Sequence, residues 1–262
     1  MDQPPKVSII TPCYNREKFI SQTLDCLLNM DYSEWECIVM DDGSTDFSAN
    51  IIQTYASKDK RIRYYFQKNS GISSAKNNAI ALSSGKYIFP LDSDDLISPE
   101  YIKEAVEILE KSPEVKIVYA QGVYFGTKKG KWKLADYSFD ELLVSNCIHN
   151  SALFRRSDFE KTKGYDPELV INEDWDLWIN LLKSGGSVVK IEKDYFFYRK
   201  HDDSNIVKYP QRDLDMLRLL YEKNKDVYAH LLENPIQLLF EHRKYRERYN
   251  VLRRLTFRKP IK

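Results

Sequence analysis

Residues 7–46 read VSIITPCYNREKFISQTLDCLLNMDYSEWECIVMDDGSTD. Val7-Ser8-Ile9-Ile10-Thr11 is a β-branched run stopped by Pro12. Phe19, Ile20, Leu24, Leu27 and Leu28 then recur at helical spacing, and Trp35 to Met40 is a second apolar run of strand length. Strand, helix, strand in that order predicts a right-handed crossover between two parallel strands.

The same alternation continues outward. Asp46 to Ser57 reads as a helix with Thr45 or Asp46 as its cap, Arg61 to Phe66 as a strand, Ile72 to Ser83 as a helix ended near Gly85, and Tyr87 to Leu91 as a strand. Ser98 caps a further helix, with Pro99 in its first turn, running to about Lys111. This βαβαβαβα order predicts an α/β, doubly wound, mostly parallel sheet with helices on both faces.

After Pro113 the rhythm changes. Val115–Phe125 and Lys131–Ala135 read as strands around a Gly126–Gly130 turn, Ser138–Val144 as a short helix and Ile148–Phe154 as a strand. Glu173–Ser184 reads as an amphipathic helix, and Val188–Ile191 and Tyr195–Arg199 as two more strands. From Asp213 onward the pattern is helical. The chain therefore divides into residues 1–112, a nucleotide-binding type of half; residues 113–205, a mixed α/β half of the same domain; and residues 206–262, a helical basic C-terminal extension.

Composition narrows the function classes. Of 262 residues, 40 are Lys or Arg and 39 Asp or Glu, so a net charge of +1 gives no overall field for nucleic acid. The charge is uneven: residues 241–262 hold nine Lys or Arg against two Glu, a balance of +7 that leaves −6 for the rest. Cys13, Cys26, Cys37 and Cys147 form no C-x-x-C pair and read as buried free thiols suited to a reducing cytoplasm. No signal peptide is visible, and no run of 18 apolar residues exists to span a membrane. A cytoplasmic protein is expected, with a peripheral position at the inner face of the cell membrane as the variant that the basic, aromatic tail suggests.

In open α/β sheets ligands bind outside the carboxyl ends of the strands. There the sequence places Thr11-Pro12-Cys13-Tyr14-Asn15, Asp41-Asp42-Gly43-Ser44-Thr45-Asp46 and Asp92-Ser93-Asp94-Asp95. Asp, Ser and Gly are ordinary turn residues. Acidic groups on neighbouring strand ends nevertheless repel one another, and a cation or hydrogen-bonding ligand relieves that repulsion. Asp92 and Asp94, one residue apart past an apolar strand, suit a hard divalent cation and a ribose hydroxyl together. Gly71 and Lys76 open the third helix, where an anion is favoured; the plain alternative is a Lys on a solvated helix face. Glu173-Asp174-Trp175-Asp176 starts a helix where carboxylates suit the macrodipole, yet Trp175 and Trp178 beside them offer stacking surfaces near a general base. His201 ends the run Tyr198-Arg199-Lys200-His201.

Taken together, VSIITPCYN (7–15), IVMDDGSTD (38–46), GISSAKNNAI (71–80), YIFPLDSDD (87–95), Gly164–Pro167 followed by EDWDLW (173–178), and YRKH (198–201) resemble family 2 glycosyltransferases, inverting enzymes of the GT-A fold. The six pieces fall in the family's order over about residues 6 to 205. The resemblance implies that Pro12, Tyr14 and Asp42 hold the nucleotide base, with Asn15 on the same donor side. Asp92 would touch the ribose, and Asp94, helped by His201, would bind a divalent metal, Mn or Mg. Asp174 would be the general base, and Glu173 with Trp175 would shape the acceptor site. Lys76 stands where the family usually has Arg, so phosphate attraction survives without the bidentate fork.

The implied reaction moves a sugar from a nucleoside-diphosphate sugar to an acceptor hydroxyl with inversion, in surface polysaccharide or glycan assembly. The expected partners are that donor, a glycan or lipid-linked glycan acceptor and, for the tail, an anionic membrane surface. Nucleic acid is not expected. Two other readings stay open. A sugar-1-phosphate nucleotidyltransferase needs a Gly-rich, Arg-containing loop after the first strand, and Pro12-Cys13-Tyr14-Asn15 has no glycine. A non-catalytic sugar-nucleotide or polysaccharide-binding module needs no base, so Asp174 discriminates against it.

Overall fold

The computed structural model describes residues 5–201 and 212–228. Strands β1 (Val7–Cys13), β2 (Trp35–Asp41), β3 (Ile62–Phe66) and β4 (Tyr87–Pro90) alternate with helices α1 (Ile20–Leu28), α2 (Ser48–Lys58) and α3 (Ile72–Ala81). After β4 come β5 (Leu96–Ile97), α4 (Tyr101–Lys111), β6 (Val115–Gly126), β7 (Gly130–Lys131), α5 (Phe139–Val144), β8 (Leu153–Arg155), α6 (Arg156–Phe159), α7 (Glu173–Leu182) and β9 (Ser187–Lys200). Helices α8 (Arg212–Lys223) and α9 (Lys225–Tyr228) complete the described chain. The chain forms two compact units, Met1–Leu220 and Tyr221–Lys262. The basic stretch 241–262 lies outside the described residues.

The sheet order is β3-β2-β1-β4-β8-β6-β9-β5, with β7 paired to β6 as a hairpin. β3, β2, β1 and β4 are parallel. β8 runs antiparallel to both β4 and β6, so β6 and the parallel β9 again point the same way as β1 to β4. The carboxyl ends of β1, β2, β4, β6 and β9 therefore share one edge, and β8 enters the sheet from that edge. This is the doubly wound, mostly parallel sheet with a mixed second half that the sequence predicts.

The alternation works because the central strands are buried on both faces. All seven residues of β1 and of β2 are buried. Leu24, Leu27, Ile52, Ile102, Ala105 and Leu109 bring the inner faces of α1, α2 and α4 into the same core as Val7, Ile9, Cys37, Val39, Tyr87 and Phe89.

Several boundaries differ from expectation: α2 starts at Ser48 after Phe47 rather than after Thr45 or Asp46, and α4 starts at Tyr101 after Glu100, so that Ser98 and Pro99 precede the helix. β1 continues through Pro12 to Cys13, because its pairing with β4 has already ended at Ile10 and a residue without N–H is tolerated beyond that point. The two strands expected at 188–191 and 195–199 are one strand, β9. It bulges outward at the exposed Glu192 and Lys193, where Ala120 pairs with Ile191 and Gln121 with Asp194. β8 starts at Leu153 rather than Ile148, since 146–150 is spent on the site described below. The strand expected at 131–135 is only the two-residue β7.

Candidate active site

The loops after β1 and β2 are stapled together. Asn15 adopts φ 52°, a left-handed conformation that Asn tolerates better than most residues. Its N–H donates to Ser44 Oγ at 3.0 Å, and its Oδ1 accepts from the Thr45 N–H at 2.8 Å. Pro12 is buried beneath this staple, while Tyr14 is 46% exposed at its rim. Asp42 is 5% exposed, and its carboxylate accepts from Gln67 Nε2 at 2.7 Å and from the N–H groups of Ser70 at 2.8 Å and Gly71 at 2.9 Å. Gly71 sits at φ 88°, open to glycine and strained for other residues, and caps α3. Asp42 thus fixes the loop leading into α3, whatever else it meets.

Lys76 departs most from expectation. It is 0% exposed, so it is neither a solvated lysine nor one free to reach a phosphate. Its Nζ lies 2.7 Å from Glu173 Oε1 and 3.8 Å from Asp92 Oδ1, and 5.1 Å from the centre of the Tyr165 ring. Burial pushes the ammonium's pKa down, but Glu173 and Asp92 outweigh it and hold the pKa well above its ordinary value. The physical reason is neutralisation: the buried Glu173 and the half-buried Asp92, carboxylates on different elements, need a cation between them.

Asp92 receives a second contact, from Asn150 Nδ2 to its Oδ2 at 2.8 Å, and burial raises its pKa despite Lys76. Two residues on, Asp94 Oδ2 meets His201 Nε2 at 2.9 Å and Arg16 Nε at 3.2 Å. Burial pushes the Asp94 carboxyl up, but the His201 hydrogen bond and the Arg16 guanidinium outweigh it, so it stays below its ordinary value. Asp95 is fully buried. Its Oδ1 accepts the Arg199 N–H at 2.8 Å, which locks the end of β9 against this loop. Burial, with Asp94 and Asp92 beside it, drives the Asp95 pKa well above the carboxylate range.

α7 begins after Asn172, whose φ is 63°. Asp174, in its first turn, accepts from the Trp175 N–H at 2.9 Å and, on Oδ2, from Asn146 Nδ2 at 3.2 Å. Burial and the neighbouring Glu173 push its pKa up to about 7, against the opposing pull of Lys76. Trp175 corrects a second expectation. It is 8% exposed, and its Nε1 donates to the Leu142 carbonyl at 2.5 Å, so it packs α7 on α5 and offers no free face to a sugar. Trp178 is likewise fully buried, with its Nε1 on the Ile148 carbonyl at 3.1 Å.

The structure thus gathers Asp92, Asp94, Asp174, Glu173, Lys76 and His201 at one end of the sheet, with the Pro12–Asn15 and Asp42 loops on the β1–β2 side. Sequence reading missed Arg16, Asn146 and Asn150. Arg16 directly follows the Tyr14-Asn15 loop and is a legible candidate. The asparagines fall in or just before a segment whose apolar residues read as strand. Because β8 enters from the site edge, Asn146–Asn150 delivers one amide to Asp174 and one to Asp92.

Among the described residues no three His, Cys, Asp or Glu side chains converge as a metal cage. Asp94 Oδ2 and His201 Nε2 alone stand 2.9 Å apart. That is about the edge of an octahedron with bonds of ~2.1 Å, and Mg²⁺-type sites commonly take one or two protein ligands and complete their shell with phosphate and water. The donor pair fits a divalent cation shared with a ligand's phosphates.

The Glycosyl transferase family 2 model matches residues 8–163. The chain belongs to that family. Within it, the glycosyltransferase TuaG of Bacillus subtilis (strain 168), whose name assigns it provisionally to teichuronic acid biosynthesis, is 32% identical over 206 residues, covering 76% of this chain and 81% of TuaG. The chondroitin synthase of Escherichia coli is 30% identical over 187 residues, covering 69% of this chain but only 27% of the synthase. Among solved structures, S. aureus TarS 1-349 in complex with UDP-GlcNAc aligns with a TM-score of 0.70 at 22% identity, over 82% of this chain and 65% of TarS 1-349. The mannosyltransferase PcManGT from Pyrobaculum calidifontis, in complex with GDP-Man and Mn²⁺, aligns at 0.62 and 19% identity, over 80% of this chain and 61% of that one. These likenesses bear out the GT-A fold. The family match ends before Glu173, so the α7 carboxylates and His201 of this family 2 glycosyltransferase rest on geometry.

Proposed function

We propose that the chain transfers a sugar from a nucleoside-diphosphate sugar to an acceptor hydroxyl with inversion at the anomeric carbon, in the assembly of a surface polysaccharide or glycan. The observation that carries this reading is the Asp92–Lys76–Glu173 bridge. It holds the end of β4 against the start of α7 and so sets a carboxylate poised near neutral pH, Asp174, beside the acidic strand end.

The roles follow from this placement. Tyr14, exposed at the rim, offers its ring to the nucleotide base, and Pro12 and Asn15 shape the loop beneath it. Asp42 holds the Ser70–Gly71 loop and presents its remaining acceptor capacity to the base. Asp92 faces the ribose, with Asn150 and Lys76 fixing its orientation. Asp94 and His201 hold the divalent cation. When bound there, that cation neutralises negative charge on the departing nucleoside diphosphate. Arg16, beside Asp94, adds positive charge at the same place. Asp174 takes the proton from the attacking acceptor hydroxyl, and Asn146 keeps its carboxylate turned toward the opening. Donors of this kind are bound by structural neighbours, UDP-GlcNAc by TarS and GDP-Man with Mn²⁺ by PcManGT, which supports the donor class and the metal.

The test is a panel of UDP-, TDP- and GDP-sugars offered to the purified chain with and without Mn²⁺, read by melting temperature and by release of nucleoside diphosphate. One donor class should stabilise the fold only with the metal, by about 2.7 kcal/mol at a hundredfold excess over its Kd. A chain that neither binds nor consumes any of them overturns the reading.

A further inference from the structure

With Trp175 and Trp178 buried, a half-exposed aromatic surface lies on the β6–β9 side of the sheet instead. Tyr124 on β6, Trp132 after β7 and Tyr198 on β9 form one half-buried cluster. Tyr124 and Trp132 stack at 5.4 Å, and Trp132 and Tyr198 meet at 4.8 Å. Two lysines lie on it. Lys128 Nζ is 4.0 Å from the centre of the Tyr124 ring, and Lys200 Nζ is 4.4 Å from that of Tyr198 and 5.5 Å from that of Tyr124. Neither ammonium pairs with a carboxylate among the described residues.

The hairpin tip that carries Lys128 is fixed in place. The N–H and the Oγ1 of Thr127 both donate to the Lys200 carbonyl, each at 2.9 Å. Gly126 has φ 88°, and a Cβ there would sit 2.5 Å from the same carbonyl oxygen. Only glycine lets the tip close on β9, and with the tip closed both ammonium groups contact the Tyr124 ring. With no carboxylate in ion-pair contact with either ammonium among the described residues, an anion placed against both would gain charge-assisted contacts that the fold leaves unmade.

The corner lies on the acceptor side of the site. β6 and β9 end at the same sheet edge as β4, but β4 separates them from β1 and β2, whose loops carry the nucleotide candidates. Lys200 immediately precedes His201, which touches Asp94. Tyr198, which Lys200 covers, feels the negative charge of Asp92, Asp94, Asp95 and Asp174.

We propose that Lys128 and Lys200, held over Tyr124, Trp132 and Tyr198, form a subsite for an anionic group, a carboxylate or a phosphate, carried by the acceptor saccharide. The proposal deepens the glycosyltransferase reading and rests on it for the word acceptor. The anion subsite itself stands on the hairpin geometry. An acceptor bearing a negative charge would be anchored there while its hydroxyl reaches Asp174, and a neutral one would lose that anchor.

The experiment is ligand-observed NMR on the full chain with UDP and Mg²⁺ saturating, so that the diphosphate position is filled. The probes are methyl glucuronide, glucose 6-phosphate and neutral methyl glucoside, and UDP affinity is measured separately. At least one acidic sugar should bind about tenfold more tightly than methyl glucoside, and which one does so separates carboxylate from phosphate. The Lys128→Gln/Lys200→Gln double variant should lose that preference, and Lys128→Arg/Lys200→Arg should keep it, both with unchanged melting temperature and unchanged UDP affinity. Equal binding of all three sugars, or a preference that survives the Gln pair, overturns the subsite. A Gln pair that loses UDP affinity places the lysines at the donor and overturns the acceptor assignment. Failure of UDP to bind while the acidic preference stands counts against the donor reading alone.

Discussion

Lys76 Nζ lies 2.7 Å from Glu173 Oε1 across 97 residues of chain, at a position with no solvent exposure. The contact ties α3 to α7. Lys76→Met leaves the buried Glu173 without its cation and the half-buried Asp92 with Asn150 alone, and the expected loss is about 3–5 kcal/mol, the scale for breaking a buried pair from one side. Glu173→Gln should cost less, because the ammonium keeps Asp92 at 3.8 Å and the amide oxygen can still accept its hydrogen bond. The double variant should be less destabilised than the sum, with a coupling of about 0.5–3 kcal/mol between contacting residues. Urea unfolding of the four proteins measures this, and strict additivity would show that the two residues do not share an ion pair.

As the proposed general base, Asp174 should set the pH behaviour. A general base works deprotonated, so with its pKa at about 7 the transfer rate should climb through neutral pH and level off above it. The same shift bears on stability, with a definite sign. A carboxyl whose folded pKa is raised binds more protons folded than unfolded. Its contribution is therefore fully present below about pH 4 and is lost as pH rises toward about 7. Asp174→Asn should then be slower by roughly 10²-fold or more while being the more stable protein at pH 8. Donor affinity should hold. Melting curves at pH 5 and pH 8 read the stability difference, and a variant less stable than the parent at pH 8 contradicts the burial argument.

The parts of this molecule legible in its sequence were those coded locally. A β-branched run marked β1, short apolar and aromatic runs marked β2 to β4, and Gly71 and the acidic strand ends marked the site edge. Asn15 and Asn172, the two non-glycine residues with positive φ among the described residues, are of the type that tolerates that conformation, though no local pattern flagged them. What stayed hidden was coded by distance. Lys76 reads as a phosphate-side or solvated lysine at the start of a helix until Glu173 and Asp92 are folded around it. Trp175 reads as a sugar platform until α5 covers it. Ile148–Phe154 reads as strand because its apolar residues outvote Asn150, whose partner Asp92 is 58 residues away.

Asn146 and Asn150 give separable predictions, because they serve different carboxylates from one segment. Asn150→Ala removes the Asp92 Oδ2 donor and leaves that carboxylate with Lys76 alone, at 3.8 Å from its other oxygen. Losing one hydrogen bond to a charged group costs about 1.5–3 kcal/mol. It should appear as weaker donor binding, with the pH limb of the rate unmoved. Asn146→Ala removes a donor that favours ionised Asp174, so the pH limb should move upward while donor binding stays. Steady-state kinetics from pH 5.5 to about 9 distinguish the two, and a shared phenotype would mean that the segment acts only as a structural loop.

Asp94 Oδ2 is claimed from two sides, by His201 Nε2 at 2.9 Å and by Arg16 Nε at 3.2 Å, and the two contacts should affect cation binding oppositely. In the proposed site His201 and Asp94 supply the donor atoms, so Asp94→Asn and His201→Ala should each weaken Mn²⁺ binding, and transfer should stop in chelator and resume with added Mn²⁺. Arg16 contributes a competing positive charge. Without nucleotide, Arg16→Gln should therefore bind Mn²⁺ several-fold more tightly than the parent chain, because a cation no longer has to share the oxygen with a guanidinium. With nucleoside diphosphate present, the same variant should bind the nucleotide more weakly, since the displaced guanidinium is then a phosphate partner. Titrating Mn²⁺ by its paramagnetic effect on water relaxation, with and without UDP, gives both numbers. An Arg16→Gln variant that loses Mn²⁺ affinity in the absence of nucleotide would show that Arg16 supports Asp94 rather than competing for it.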